Sequence, residues 1–321
     1  YIKRGFIISD IRLGIIGAGH IAKQHLNVIR AMDDVSVVGI TSRTIAKAEK
    51  LSNDYNIEHV YNNIYELTEK CALDALLICV SADQIFSVTE KLIPKQIPLF
   101  IEKPPGLVPK ETDTLFKLAD ENGTKNMVGY NRRFYSVFHK GIQIIKKSGR
   151  LLGVSVEGHE RFWKVVNRKP QNILDNWLYA NSTHTIDLLH FFGGEITSFN
   201  TISKSFKEKN GDQFVATVEF ESGSLGTYTS YWYSPGGWSV TLYGEGVTVI
   251  FGPLEKGKWI DTNSTEYKIE PDELDKKYKP GFYGQLKAFC NMLNNGSLEW
   301  PGQDLAGALK TMQLAQKLLY V

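Results

Sequence analysis

The six-residue turn Gly17-Ala18-Gly19-His20-Ile21-Ala22 constrains this chain more than any other feature. Residues 12–16 before it read as a short, fully buried strand, and residues 20–32 after it as an amphipathic helix. G-x-G-x-x-A between a strand and a helix is a dinucleotide-binding turn. Gly17 permits the tight bend, Gly19 lets a pyrophosphate approach the backbone, and Ala22 lets the helix pack on the strand. The free N–H groups and positive dipole end of the helix, from His20 and Ile21 onward, suit phosphate oxygens.

A second strand is expected at residues 36–41. Chains that bind NAD usually carry an acidic residue at its end, to hold the ribose 2′-hydroxyl. This chain reads Thr41-Ser42-Arg43, with no carboxylate. Ser42 and Arg43 suit a 2′-phosphate instead, so NADP is expected in preference to NAD.

Residues 72–80 and 98–101 read as further buried strands alternating with helices, and residues 127–134 as the last strand of this unit and its exit. That pattern means a parallel, doubly wound sheet. Short strands with Gly, Ser or Pro turns follow at 153–161, 214–220, 224–232, 238–242 and 247–251. They read as an antiparallel meander, and two helices close the chain near 283–293 and 304–319. The fold class is therefore α/β, with a Rossmann domain followed by an α+β domain. The expected division is a dinucleotide-binding unit over 10–128, a substrate-binding and oligomerisation unit over 129–282, and C-terminal helices over 283–321 packing back between them.

Composition bounds the partners. Lys and Arg total 37 against 35 Asp and Glu, so a net charge of +2 gives no reason to expect nucleic acid. No apolar run is long enough to span a bilayer, and no signal peptide is evident. Cys71, Cys79 and Cys290 lack metal-ligand or redox spacing, which suggests reduced thiols and a cytoplasmic setting. His184, Asp187 and His190 form an i, i+3, i+6 row that reads as a helix face, so no metal is expected. Tyr130, Asn131 and Arg133 leave the last Rossmann strand at its C-terminal end, where ligands bind in such sheets. Trp163 and Trp177 are candidates to stack on a sugar or a nicotinamide.

The ordered set GAGHIA at 17–22, EKP at 102–104, GYNRRF at 129–134 and H-x-x-D at 184–187 resembles the glucose-fructose oxidoreductase / inositol dehydrogenase / MocA family. The closing stretch from FYGQLKAF onward is similar to that family's C-terminal helices. The resemblance covers almost the whole chain. It implies an open-faced mixed sheet after the Rossmann domain, often the subunit interface, and hence a homodimer or homotetramer. It also implies oxidation or reduction of a hydroxyl on a sugar, polyol or sugar nucleotide by NAD(P). By the same resemblance Lys103 is the reactive lysine and His184 the acid/base. Glu102 orients the site, Val80, Ser81 and Ala82 pass backbone to the cofactor together with Asn131, and Asn181 and Asp187 face substrate or tune His184.

Two departures qualify the match. Members with a Lys–Asp–His triad usually carry Asp four residues before the histidine, where this chain has Ala180. Residues 81–86 read SADQIF, without the family's usual histidine. The departures leave two other readings open. One is an enzyme that retains its cofactor and uses transient oxidation for elimination or hydrolysis. The other is a non-catalytic NAD(P)-binding sensor.

Overall fold

The computed structural model describes residues 10–319, so the reading of the first residues as no signal peptide lies outside it. The first unit alternates strand and helix: β1 (Ile11–Ile16), α1 (His20–Ile29), β2 (Val35–Thr41), α2 (Ile45–Tyr55), β3 (His59–Tyr61), α3 (Ile64–Lys70), β4 (Ala75–Ile78), α4 (Ala82–Leu92), β5 (Leu99–Ile101), α5 (Pro109–Asn122) and β6 (Asn126–Val128). The strands are parallel, in the order β3-β2-β1-β4-β5-β6. β1 is flanked by both β2 and β4, so the strand order reverses there and opens a crevice at the C-terminal ends. Helices cover both faces, so β4 and β5 are buried along their whole length and read as continuous apolar runs.

The second unit contains α6 (Ser136–Ser148), β7 (Leu151–Gly158), α7 (Gln171–Asp175) and α8 (Thr183–Gly193). It continues through β8 (Ile196–Lys204), β9 (Gln213–Phe220), β10 (Leu225–Tyr231), β11 (Trp238–Gly244), β12 (Val247–Phe251), β13 (Gly257–Ile260) and β14 (Glu266–Ile269). The sheet is largely antiparallel, as expected, but it departs from a simple meander at one strand. The eight strands run β14-β13-β12-β11-β7-β10-β9-β8, and β7 pairs parallel with β10. β7 lies in the middle of the sheet because it enters from α6, and β11 pairs antiparallel on its other side. The inner face carries Val154, Val156, Tyr228 and Val240 against α8, all buried.

After α9 (Glu273–Lys277), α10 (Phe282–Asn295) returns to the first unit and packs on α1. Its Phe282, Leu286 and Phe289 join the core formed by β1, α1 and Phe100. α11 (Leu305–Leu319) packs against both α5 and α8.

One buried ion pair ties three of these segments together. Arg133, in a short 3-10 turn after β6, grips Asp187 of α8 edge-on: Nε to Oδ2 at 2.7 Å and Nη2 to Oδ1 at 2.8 Å. Thr311 of α11 donates to the same carboxylate at 2.9 Å. The two side chains are 9% and 1% exposed. Removing one partner of such a pair leaves the other charge buried and uncompensated. Asp187→Ala is therefore expected to cost about 3–5 kcal/mol of stability, read as a lower urea midpoint. An unchanged midpoint would contradict the structural role.

Candidate active site

The turn after β1 has the geometry its sequence requires. Gly17 sits at φ +108°, and a Cβ there would run 2.5 Å from the Cys79 carbonyl oxygen at the end of β4. Its N–H donates to the Thr41 carbonyl of β2 at 2.8 Å. Gly19 precedes α1, with open space where its Cβ would stand and no side chain capping the helix. The first N–H groups of α1, those of His20 and Ile21 among them, thus lack side-chain partners. An uncapped helix end reached through a gap the size of a missing side chain fits a pyrophosphate. Ala22 is fully buried behind it. Ser42 and exposed Arg43 follow β2 directly, beside this turn, and half-buried Val80 and Ala82 follow β4 with exposed Ser81 between them.

β5 ends in Glu102 and Lys103. Glu102 is held by His25, a fully buried residue of α1 whose Nε2 lies 2.7 Å from Oε1. The His25 ring packs between Phe100 and Phe282. Lys103 points across to the second unit, where its Nζ donates to the Ala180 carbonyl at 2.9 Å. Ala180 lies in a widened, π-type turn at Leu178–Ser182 that leads into α8. Such turns recur at functional sites, because one loosened turn re-aims backbone groups. Burial, with the Arg132 charge beside it, pushes the Lys103 ammonium down to about 7, against the opposing pull of Glu102 and Glu160.

Glu160 is one of four site residues that sequence reasoning missed, with His25, Arg132 and Lys279. It lies just past β7 and is 8% exposed. Its carboxylate accepts from Trp177 Nε1 at 3.0 Å, from the Asn181 amide, and from Ser182 Oγ at 2.7 Å. The acid that the family places at position 180 is absent, yet a carboxylate rests against the same turn. Burial raises its pKa, opposed by those three hydrogen bonds and by Lys103. A signal was present: Val154, Val156, Gly158 and Glu160 share one phase of the strand, so a glutamate falls where the pattern demands a core residue.

His184, in the first turn of α8, is 5% exposed. Its ring meets the edge of Tyr130 at 6.2 Å and tilts against Trp238 at 5.9 Å. Arg132 Nη1 lies 2.7 Å from Nε2, and its guanidinium rests over Trp238 at 5.1 Å. Burial, followed by the charges of Arg132, Lys103 and Lys279, holds the imidazole well below its usual range. His184 is therefore neutral at pH 7, and the ionisation near neutrality belongs to Lys103.

The other expected contacts sort themselves by partner. Arg133 and Asp187 bind each other, so Asp187 does not orient His184. Trp177 and Asn181 hold Glu160. Asn131 is buried, donates to the Pro280 carbonyl at 2.9 Å and accepts from Arg132, which makes it a brace for the turn. Trp163 is 40% exposed on a surface loop, outside this cluster of contacts. Among the described residues no group of His, Cys, Asp and Glu is arranged to hold a metal. A cavity of about 600 Å³ opens beside the cluster, lined by Glu157, His159, Glu160, Arg161, Trp238 and Glu255 among others.

Known proteins share this fold. Residues 11–130 match the model of an oxidoreductase family with an NAD-binding Rossmann fold, and residues 149–250 match the GFO/IDH/MocA C-terminal domain. The 4-carboxy-2-hydroxymuconate-6-semialdehyde dehydrogenase of a Sphingobium species is 23% identical over 296 residues, covering 84% of this chain and 91% of that protein. The NAD(+)-dependent scyllo-inositol 2-dehydrogenase of Bacillus subtilis is 22% identical over 306 residues, covering 89% and 87%. Among solved structures, an Agrobacterium radiobacter oxidoreductase in complex with NAD+, L-tartaric acid and magnesium superposes with a TM-score of 0.81 at 14% identity, covering 96% of this chain and 95% of that one. A Chromobacterium violaceum dehydrogenase superposes with a TM-score of 0.83 at 19% identity, covering 97% and 94%. With both of its units matched, the chain belongs to the GFO/IDH/MocA family and is a nicotinamide-dinucleotide-binding oxidoreductase.

Proposed function

We propose that the chain oxidises a carbinol, or reduces the matching carbonyl, of a polyhydroxylated small molecule held between Lys103 and His184. The observation that supports this most directly is Lys103, a buried ammonium poised near pH 7 at the C-terminal edge of the dinucleotide fold. The turn from Gly17 to Ala22, with Ser42, Arg43, Val80, Ser81, Ala82 and Glu102, would hold the dinucleotide. When bound, the nicotinamide supplies the hydride acceptor or donor. In the oxidation direction Lys103, as the neutral amine, takes the hydroxyl proton at Nζ. Neutral His184 accepts a hydrogen bond from a neighbouring hydroxyl of the substrate and fixes its direction. The Ala180 carbonyl holds the lysine in place, and Glu160 sets how readily it gives up its proton. Relatives bearing names as different as an inositol dehydrogenase and a semialdehyde dehydrogenase share the fold. The local chemistry therefore has to identify the substrate.

The sheet's outer face supports a homo-oligomer. The aromatic stretch from Tyr228 to Trp238 does not supply that face as a whole, because Tyr228 and Trp232 are buried on the inner side. Ile202, Val215, Leu225, Tyr231 and Tyr243 stand outward instead, with Ile202 opposite Val215 across the β8–β9 pair. Ile202 and Leu225 are 65% and 63% exposed, an unusual cost for a solvated face. Three unpaired cysteines fit a reducing compartment.

These readings carry three expectations. NADP should bind more tightly than NAD, and Arg43→Ala should remove roughly 1.5–3 kcal/mol of NADP affinity in calorimetric titration. Equal or tighter NAD binding would sink the cofactor assignment. In the oxidation direction kcat/KM should rise with pH through a limb near 7 and fall by ~10²–10⁴ in Lys103→Met. Glu160→Gln should move that limb to lower pH, because the glutamate's charge raises the lysine pKa. A limb that stays put or moves up would show that another group titrates. Light scattering should give a mass above the monomer at micromolar concentration, and Ile202→Glu with Leu225→Glu should return it to the monomer. A wild-type monomer would rule out the interface.

A further inference from the structure

Two adjacent arginines behave differently. Arg133 presents its Nε/Nη2 edge to the carboxylate of Asp187, two parallel hydrogen bonds in a buried pair. Arg132 uses only Nη1, on Asn131 Oδ1 at 2.7 Å and on His184. Its Nε is buried without a hydrogen-bond partner. A buried charged donor left unpaired is costly, so this guanidinium lacks the ligand its geometry suits.

Arg132 is not the sole unpaired cation here. Lys103 and Lys279 lie close enough that the charges of all three act on His184. Lys279 is half-buried, with Nζ over the Phe282 ring at 4.5 Å. None of the three makes an ion pair with a carboxylate among the described residues. The two carboxylates in range, Glu102 and Glu160, are engaged by His25 and by Trp177, Asn181 and Ser182. Even with Lys103 as the neutral amine, Arg132 and Lys279 remain as cations without a carboxylate partner of their own. The neighbouring cavity has the opposite character, with Glu157 and Glu255 beside Glu160 and a single arginine. Carboxylates there accept hydrogen bonds from hydroxyls and repel a second anionic group.

We propose that the substrate is a polyhydroxy monocarboxylate, of the aldonate or uronate kind, whose carboxylate is received by Arg132 and Lys279. Its hydroxyl-bearing chain runs toward the acidic cavity. The carboxylate draws the guanidinium off His184 and leaves Nε2 free to accept from a substrate hydroxyl beside the reacting one. This inference rests on the oxidoreductase reading above and narrows it. A phosphate ester shares the anionic chemistry but lacks the planar two-oxygen edge of a carboxylate, and the test below separates the two.

The test uses calorimetric titration of the protein saturated with oxidised cofactor. The probes are matched pairs: D-glucuronate with D-glucose, D-galacturonate with D-galactose, and D-gluconate with D-glucitol. The acid should bind at least about tenfold more tightly than its neutral mate in one pair or more. Lys279→Gln should shrink that preference several-fold, and Arg132→Gln should abolish it. Circular dichroism checks folding, and Lys279, on a half-exposed loop, carries the test if the arginine variant does not fold. Tighter binding of D-glucose 6-phosphate than of D-glucuronate would overturn the carboxylate in favour of a phosphoryl group. Neutral mates binding as well as the acids in every pair, or no acid binding at tens of millimolar, would overturn the proposal outright. Nicotinamide absorbance separates this failure from failure of the parent reading. Turnover of neutral polyols without gain from a carboxylate refutes the acid site alone. Acid binding without turnover of any compound in either direction refutes the oxidoreductase reading and leaves the acid site standing.

Discussion

The hydrogen bond from Lys103 Nζ to the Ala180 carbonyl is the contact on which the site depends. It joins residues 77 apart in sequence and bridges the C-terminal edge of the parallel sheet to the turn that opens α8. A lysine here has to leave water, and its stem crosses into protein from both units. Desolvation then lowers its pKa by several units relative to an exposed lysine. An amine that titrates near neutral pH is thus a consequence of how the two units meet. Neither unit alone would bury the ammonium.

The electrostatics around that contact are kept in balance by partners from distant parts of the chain. His25 reaches Glu102 from α1, while Trp177, Asn181 and Ser182 reach Glu160 from the widened turn. Hydrogen bonds to the ionised form offset part of the desolvation that Glu160 suffers. Burial, and after it the charge of Arg132 over the Trp238 ring, suppresses protonation of His184. Histidine and lysine thereby exchange the roles their ordinary pKa values suggest: the imidazole is locked neutral, and the amine titrates in the physiological range.

Much of this was legible in the sequence, and the limits have physical reasons. The dinucleotide turn announces itself because each glycine answers a steric demand: Gly17 at positive φ against the Cys79 carbonyl, Gly19 in front of open space. The EKP and H-x-x-D segments mark where reactive groups should converge. The pairing within the second sheet was not legible. Alternation says which face a residue takes, but the parallel β7–β10 contact is non-local and leaves no mark on either strand. Arg132 and Arg133 were indistinguishable by adjacency. In a 3-10 turn successive side chains diverge by about a third of a revolution, so one meets Asp187 and the other His184. His25 resembled any helix residue on the core side. Glu160, by contrast, broke its strand's alternation and had the form of a detectable exception.

Glu160 also bears on how such a site can change without losing its function. Position 180 holds Ala, and the residue's backbone carbonyl still meets Lys103. A carboxylate supplied by α8's own approach would be fixed to the same turn as that carbonyl, so any shift of the turn would move both. Here the charge arrives from the end of β7 and is clamped by three donors on the turn. The strand, at the centre of an eight-stranded sheet, is among the least mobile supports available. The lysine therefore feels a negative charge whose position is set by the sheet and whose strength is set by the turn. The same field can be built from a different element, provided that the carboxylate stays buried, hydrogen-bonded and within reach of the ammonium.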